Sequence, residues 1–375
     1  MLLKAIVGLA IGAPIAFVLA PSGYALERFH DAAVYYRAGR AHLAGVDPYV
    51  DLTFRQWPLV AAICAPLALL PERLAGVVVS SLSSLAGLVG FYLLRLRLAD
   101  HPTAPRLWWA AVALGPPFLT LFYLGQMTGF CFAGFCAGLW LLDRRPWLAG
   151  VAFALMGAKP HLVLLALPAL LGGPLAALIG FVLASLLWPL GSLAVAGPGG
   201  LVAFGRALYT IGGLDEELVG VPVSTLLPAG PARTVVELVA LALIVGLLAA
   251  LTVLRLRGRR LAGSGVEVAT ALILVGLPYA RMYEMLFATP LMLRLGTSRA
   301  TRSWLLALAW WLLPLLSLAL LSHGGGGLAS LAVPAAVAWR VTRAATPNSP
   351  SAAGSDLGDA ASGAPSPRSA APARA

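Results

Sequence analysis

Between residues 27 and 57 the chain reads ERFHDAAVYYRAGRAHLAGVDPYVDLTFRQW, a charged stretch flanked by apolar blocks. It holds Glu27, Asp31, Asp47 and Asp51 with Arg28, Arg37, Arg40, Arg55, His30 and His42, although only 11% of the chain is charged. Asp31 is the member best placed for chemistry. It sits early in the stretch, where a carboxylate at the mouth of a cavity can take a proton from a hydroxyl as that oxygen attacks carbon. The alternative is a helix N-cap, because Asp31 precedes a helix-compatible run over residues 32–43.

Other polar residues stand out against apolar surroundings. Lys159 lies in Gly157-Ala158-Lys159-Pro160-His161, where a Lys-Pro pair breaks a helix and leaves a positive charge suited to phosphate. Its alternative is a lysine snorkelling to lipid headgroups. Arg281 and Glu284 are three apart, so they pair with each other across a helical turn or hold a phosphate and a hydroxyl. Gln126 and His161 are further candidates for lining the same cavity. Tyr35 and Tyr36 suit a stacking surface or, more simply, the aromatic belt of a membrane. Asp47, in Gly45-Val46-Asp47-Pro48-Tyr49, reads mainly as a helix stop and turn, and as a site residue it ranks below the others. No phosphate-cradling glycine loop, HExxH or GxSxG pattern is present, so nucleotide hydrolysis and zinc or serine hydrolase chemistry have no motif behind them.

The elements that must position these residues are membrane helices. The 375 residues are 60% hydrophobic with mean hydropathy +0.88, which implies an all-α polytopic membrane protein. The net charge of +11 does not imply a nucleic-acid partner. The basic residues fall in short clusters between apolar blocks, at Arg95/Arg97/Arg106, Arg144/Arg145, Arg255/Arg257/Arg259/Arg260, Arg294/Arg299/Arg302 and Arg340/Arg343, as expected of cytoplasmic loops. Cys64, Cys131 and Cys136 lie within apolar blocks and read as packing residues.

Alternating spans between those loops gives about twelve crossings. Span one is 2–20, a retained helix rather than a cleaved signal. Residues 21–73 form the main outer loop, with 58–70 too short to cross and so lying at or dipping into the outer interface. Spans follow at 74–94, 107–123 and 127–142, with residues 123–129 as an outer turn. Residues 147–171 form a pair broken at Lys159-Pro160. The next span is 175–196, and a second outer loop over 197–233 carries Asp215, Glu216 and Glu217. Span eight is 234–254, 266–294 is another broken pair turning at 278–284, and 303–321 and 328–341 complete the set. Residues 344–375, rich in Ala, Ser, Pro and Gly, are expected to be a disordered cytoplasmic tail. In this arrangement Asp31, Lys159, Arg281 and Glu284 all fall on the outer side. Short broken helices at membrane depth are tolerated mainly where they line a polar cavity.

The order Asp31-x-x-x-Tyr35, Ala44-Gly45-Val46-Asp47-Pro48-Tyr49, Trp57-Pro58, an apolar segment ending Ala68-Leu69-Leu70-Pro71, then Gly125-Gln126 and Ala158-Lys159-Pro160 resembles the polyprenol-phosphate-mannose-dependent α-mannosyltransferases of glycosyltransferase family 87. These are membrane enzymes of the GT-C superfamily. The resemblance extends over 1–343 and is sharpest in 27–71 and 123–161. It implies a GT-C bundle in 1–343 and an essential first-loop aspartate, here Asp31, as the base. It further implies transfer of a hexose, with mannose the expected sugar, from a polyprenyl-phosphate donor to a lipid or glycan acceptor. The reaction would occur at the outer face of the cytoplasmic membrane, with Lys159 and Arg281 steadying the leaving phosphate. One departure from the family pattern is Leu277-Pro278-Tyr279-Ala280-Arg281-Met282-Tyr283-Glu284, where a histidine-containing stretch is expected. A lipid phosphate is already a good leaving group, so neither metal nor other cofactor is expected. The competing readings are a transporter or flippase of lipid-linked sugars, which calls for polar residues through the bilayer midplane and often a repeat, and an envelope polysaccharide polymerase, in which the chief outer loop is expected late in the chain.

Overall fold

The computed structural model describes residues 29–50, 53–98, 106–113, 115–209, 223–227, 230–259, 261, 264–277, 280–295 and a few positions between 309 and 338. Span one, the acidic part of the second outer loop and the tail lie outside the described residues, as do most of the two last spans. Every element described is helical, as the long apolar runs require. The helices are α1 (His30–Leu43), α2 (Pro58–Cys64), α3 (Glu72–Arg97), α4 (Arg106–Ala113), α5 (Pro116–Leu124), α6 (Thr128–Leu141), α7 (Pro146–Ala154), α8 (Val163–Gly172), α9 (Leu175–Ser185), α10 (Leu187–Tyr209), α11 (Pro231–Leu256), α12 (Gly265–Gly276) and α13 (Thr289–Leu295). Among the described residues three stretches are long and apolar enough to cross a membrane: α3, the stretch from Leu175 to Tyr209 made of α9 and α10, and α11. The remaining apolar helices are shorter.

Proline begins α2, α5, α7 and α11, where its missing N–H is no loss and its fixed φ suits the first turn. Small residues let the helices approach closely. Ser80, Ser83 and Ser84 are wholly buried on α3, and Gly129 of α6 packs directly on Ser83. Gly150 of α7 meets the backbone of α9, whose Gly180 in turn faces the Trp147 carbonyl. The bundle core behind them is aromatic. Phe287 lies edge-on to Phe132 and Phe135, with ring centroids 5.9 and 5.4 Å apart.

A second, smaller core gathers around residues 32–64. Tyr35, Phe54 and Val60 are almost fully buried there with Trp188 and Phe204. Phe204 comes from a segment expected to be loop. At Gly197 (φ 64°) the chain breaks, as Gly197-Pro198 suggests, but it resumes as helix to Tyr209. The reason is burial: Phe204 stacks on Trp57 at 4.5 Å and against Tyr49 at 6.2 Å. Residues 58–69 form α2 and a 3-10 turn packed on α1.

Candidate active site

The two cores meet where four polar segments converge, and each is held by local sequence. Asp31 lies in the first turn of α1, which starts one residue before it. The N-cap position is Phe29, and no side chain caps the helix, so the capping role expected of Asp31 is not seen. Tyr35 follows one turn later on the same face. Its ring is 1% exposed, which removes it from the aromatic belt.

Gln126 is presented by a tight turn. α5 ends at Gly125, which takes the left-handed conformation (φ 70°, ψ 43°) that glycine adopts without strain. A side chain there would meet Ala32 Cβ at 2.6 Å, so the absence of one lets α1 lie against the turn. Ser83 donates to the Gln126 carbonyl and accepts from the Gly129 N–H, and Ser80 donates to the Phe122 carbonyl at 2.9 Å.

Lys159 stands at the break between α7 and α8. Two short 3-10 turns, Leu155–Ala158 and Pro160–Leu162, replace the helix around Lys159, whose own backbone is extended. Two indoles brace the break: Trp57 Nε1 donates to the Gly157 carbonyl at 2.9 Å and Trp188 Nε1 to the Ala154 carbonyl at 2.8 Å. The fourth segment, after α12, has extended backbone at Arg281 (φ −104°, ψ 163°) and a 3-10 helix over Met282–Ala288. Arg281 and Glu284 are therefore not related by an α-helical turn. Instead Glu284 Oε2 accepts the Arg281 backbone N–H at 3.1 Å.

The side chains then meet. Glu284 is 1% exposed, and its Oε1 lies 3.4 Å from Lys159 Nζ and 3.0 Å from His161 Nε2. Lys159 Nζ also donates to Thr128 Oγ1 at 2.8 Å and lies 4.7 Å from the centre of the Tyr283 ring, a cation–π contact. Tyr35 donates to Gln126 Oε1 at 2.9 Å, and Gln126 Nε2 donates to the Tyr283 hydroxyl at 3.0 Å. The Asp31 carboxylate stands in hydrogen-bonding range of Gln126 and in electrostatic range of Lys159, His30 and Arg281. Burial raises its pKa above the ordinary aspartate value. The Gln126 hydrogen bond and those three basic residues oppose the rise without cancelling it.

Thus seven of the eight candidates, Asp31, Tyr35, Gln126, Lys159, His161, Arg281 and Glu284, come to one place. Asp47 does not join them. It is exposed, and its carboxylate accepts the Tyr49 N–H at 2.9 Å, closing the turn after α1. Tyr283 and Thr128 are the participants that sequence reasoning missed. A tyrosine or threonine in an apolar run reads as packing, and only the charges at Arg281 and Glu284 mark the segment that holds Tyr283. Among these groups Asp31, His161 and Arg281 are partly exposed, whereas Gln126, Lys159 and Glu284 are buried. The arrangement is a buried ion-paired floor beneath a more open carboxylate, which can accept a proton from a bound hydroxyl.

The family model of glycosyltransferase family 87 matches residues 58–278, more than half of the chain. The matched stretch contains Gln126, Lys159 and His161; Asp31 precedes it, and Arg281 and Glu284 follow. No curated protein and no solved structure matches the chain.

Proposed function

The chain belongs to glycosyltransferase family 87, and on that premise we propose that it is a multi-pass hexosyltransferase of the cytoplasmic membrane whose base is Asp31. The bundle is of the GT-C type with about twelve spans, and the site opens to the outer face. The donor is a hexose, mannose, on polyprenyl phosphate, and the acceptor is a lipid or glycan hydroxyl. The acceptor oxygen bonds to the anomeric carbon as its proton passes to Asp31. The bond from that carbon to the phosphate oxygen breaks, and polyprenyl phosphate leaves with the electron pair. Lys159 and Arg281 steady the charge on the departing phosphate, with His161 at the rim.

The observation that carries this reading is the setting of Asp31. It is a carboxylate in the first turn of an outer-loop helix, with its proton affinity raised by burial and two basic residues from distant segments in range. A base for a hydroxyl works best when its pKa lies closer to the working pH than that of a free aspartate. The test is transfer of labelled mannose from polyprenyl-phosphate-mannose in membranes holding matched amounts of wild type or Asp31→Asn. Wild-type transfer with near-complete loss in the variant is expected. Transfer that survives the substitution removes Asp31 from the chemistry.

A further inference from the structure

Gln126 is 5% exposed, and both ends of its amide are engaged. Oε1 accepts from Tyr35, while Nε2 donates to Tyr283 and has a second hydrogen left. Tyr35 and Asp31 project from the same face of α1, one turn apart, so an amide reached by Tyr35 is at the level of Asp31. An ionised carboxylate only accepts hydrogen bonds, so the amide must show it nitrogen and turn Oε1 elsewhere. Buried Oε1 then needs a donor, and the Tyr35 hydroxyl is that donor. The reverse orientation would set Oε1 against the carboxylate.

We propose that Gln126, clamped between Tyr35 and Tyr283, is a positioning residue for Asp31: its amide nitrogen fixes the direction of the carboxylate and favours the ionised, proton-accepting form. The catalytic importance of this relay rests on Asp31 being the base; the relay itself does not. Asp31 is faced also by His30 from its own helix, Lys159 from the break between α7 and α8, and Arg281 and Tyr283 from the segment after α12. All of these survive a change at Gln126, so the effect of that change reports the amide.

Infrared titration of the purified full-length protein in detergent tests the relay without calling on activity. The protonated-carboxyl band absent from Asp31→Asn belongs to Asp31. In Gln126→Met its midpoint is expected to rise by about one to two pH units, the worth of a hydrogen bond to a charged group. Tyr35→Phe should move it the same way by less, and that variant decides the matter if Gln126→Met does not fold. A midpoint that stays in place, or falls, in the folded variants overturns the proposal. Mannose transfer measured on the same preparations separates the two ideas. A raised midpoint with no wild-type transfer sinks the glycosyl-transfer reading and leaves the relay standing, whereas an unmoved midpoint with Asp31-dependent transfer does the reverse.

Discussion

Lys159 Nζ and Glu284 Oε1 lie 3.4 Å apart although 125 positions separate them in the chain, and neither side chain is more than 4% exposed. Such a pair binds the break between α7 and α8 to the segment after α12. Removing Glu284 leaves Lys159 as a buried charge without its carboxylate, and removing Lys159 leaves Glu284 with the partly exposed His161 at 3.0 Å as its remaining partner. A buried charge stripped of its partner costs about 3 to 5 kcal/mol. Lys159→Met and Glu284→Met are therefore each expected to lower the denaturation temperature of the detergent-solubilised protein strongly. The double variant should recover a large part of that loss, because no orphan charge remains. A double variant no more stable than the worse single one would show that the pair does not act as a unit.

The pH dependence of transfer follows from the raised pKa of Asp31. On the proposal that Asp31 is the base, it works ionised, so the rate is expected to rise with pH as Asp31 loses its proton, with the midpoint of that rise above the ordinary aspartate value of 3.8. Asp31→Glu keeps a carboxylate and should retain an acid limb with reduced kcat, while Asp31→Asn should lose nearly all transfer. The measurement is kcat/KM against pH for wild type and Asp31→Glu. A rate independent of pH from about 4 to neutrality, the span in which a raised carboxyl titrates, would contradict the assignment.

What the sequence showed of this arrangement depended on how far each signal reached along the chain. The long apolar runs behind α3 and α11 and the Lys159-Pro160 break were legible because hydropathy and proline act locally. Asp31, Lys159 and Glu284 were legible as exceptions to an apolar background. Their partners were not. Gln126 meets Tyr35 and Tyr283 across 91 and 157 positions, a relation with no periodicity to reveal it. The spacing of Arg281 and Glu284 offered either a pair across a helical turn or a joint hold on a phosphate and a hydroxyl, but it could not show the extended backbone at Arg281 or the meeting of Glu284 with Lys159 and His161. The helix beyond Gly197 was missed because glycine and proline correctly mark a break there, while the burial of Phe204 that restores the helix is a tertiary event.

Away from these groups, Glu267 of α12 is 2% exposed at its side chain and pairs with Arg294 of α13 at 2.8 Å. Arg97 of α3 adds its charge nearby and donates to the Leu139 carbonyl of α6. Arg294→Met is expected to destabilise the protein by about 3 kcal/mol or more, through the stranded Glu267 carboxylate. Glu267→Gln in the same background should relieve most of it. Thermal unfolding of the purified variants checks both, and the candidate site, to which neither residue belongs, should keep its KM for the sugar donor.

Gly125→Ala places strain directly between α1 and the Gln126 turn. The backbone there has φ of 70°, unfavourable to alanine, and the new methyl would stand 2.6 Å from Ala32 Cβ. Since α1 carries Asp31, relief of that clash moves the carboxylate away from Gln126. A displacement of that kind lowers kcat by on the order of 100-fold when it misplaces a reacting group by about 1 Å. The expected result is a large fall in kcat, accompanied by a loss of stability of about 1 to 3 kcal/mol. An alanine variant with wild-type kcat would mean that the contact between Ala32 and Gly125 does not set the position of Asp31.

The two indoles at the Lys159 break predict a different kinetic signature. Trp57 and Trp188 donate to the Gly157 and Ala154 carbonyls, and they hold the loop that carries Lys159. Trp57→Phe keeps a ring to stack on Phe204 but removes the N–H, so the Gly157 carbonyl is orphaned at a cost of about 1 to 3 kcal/mol. On the proposed role of Lys159 at the donor phosphate, loosening it should weaken donor binding while leaving Asp31 in place. KM for polyprenyl-phosphate-mannose is therefore expected to rise several-fold in Trp57→Phe, with the acid limb of the pH profile unmoved. If instead the acid limb shifts and KM holds, Trp57 acts on the base rather than on the donor side, and the division of labour between Asp31 and Lys159 is wrong.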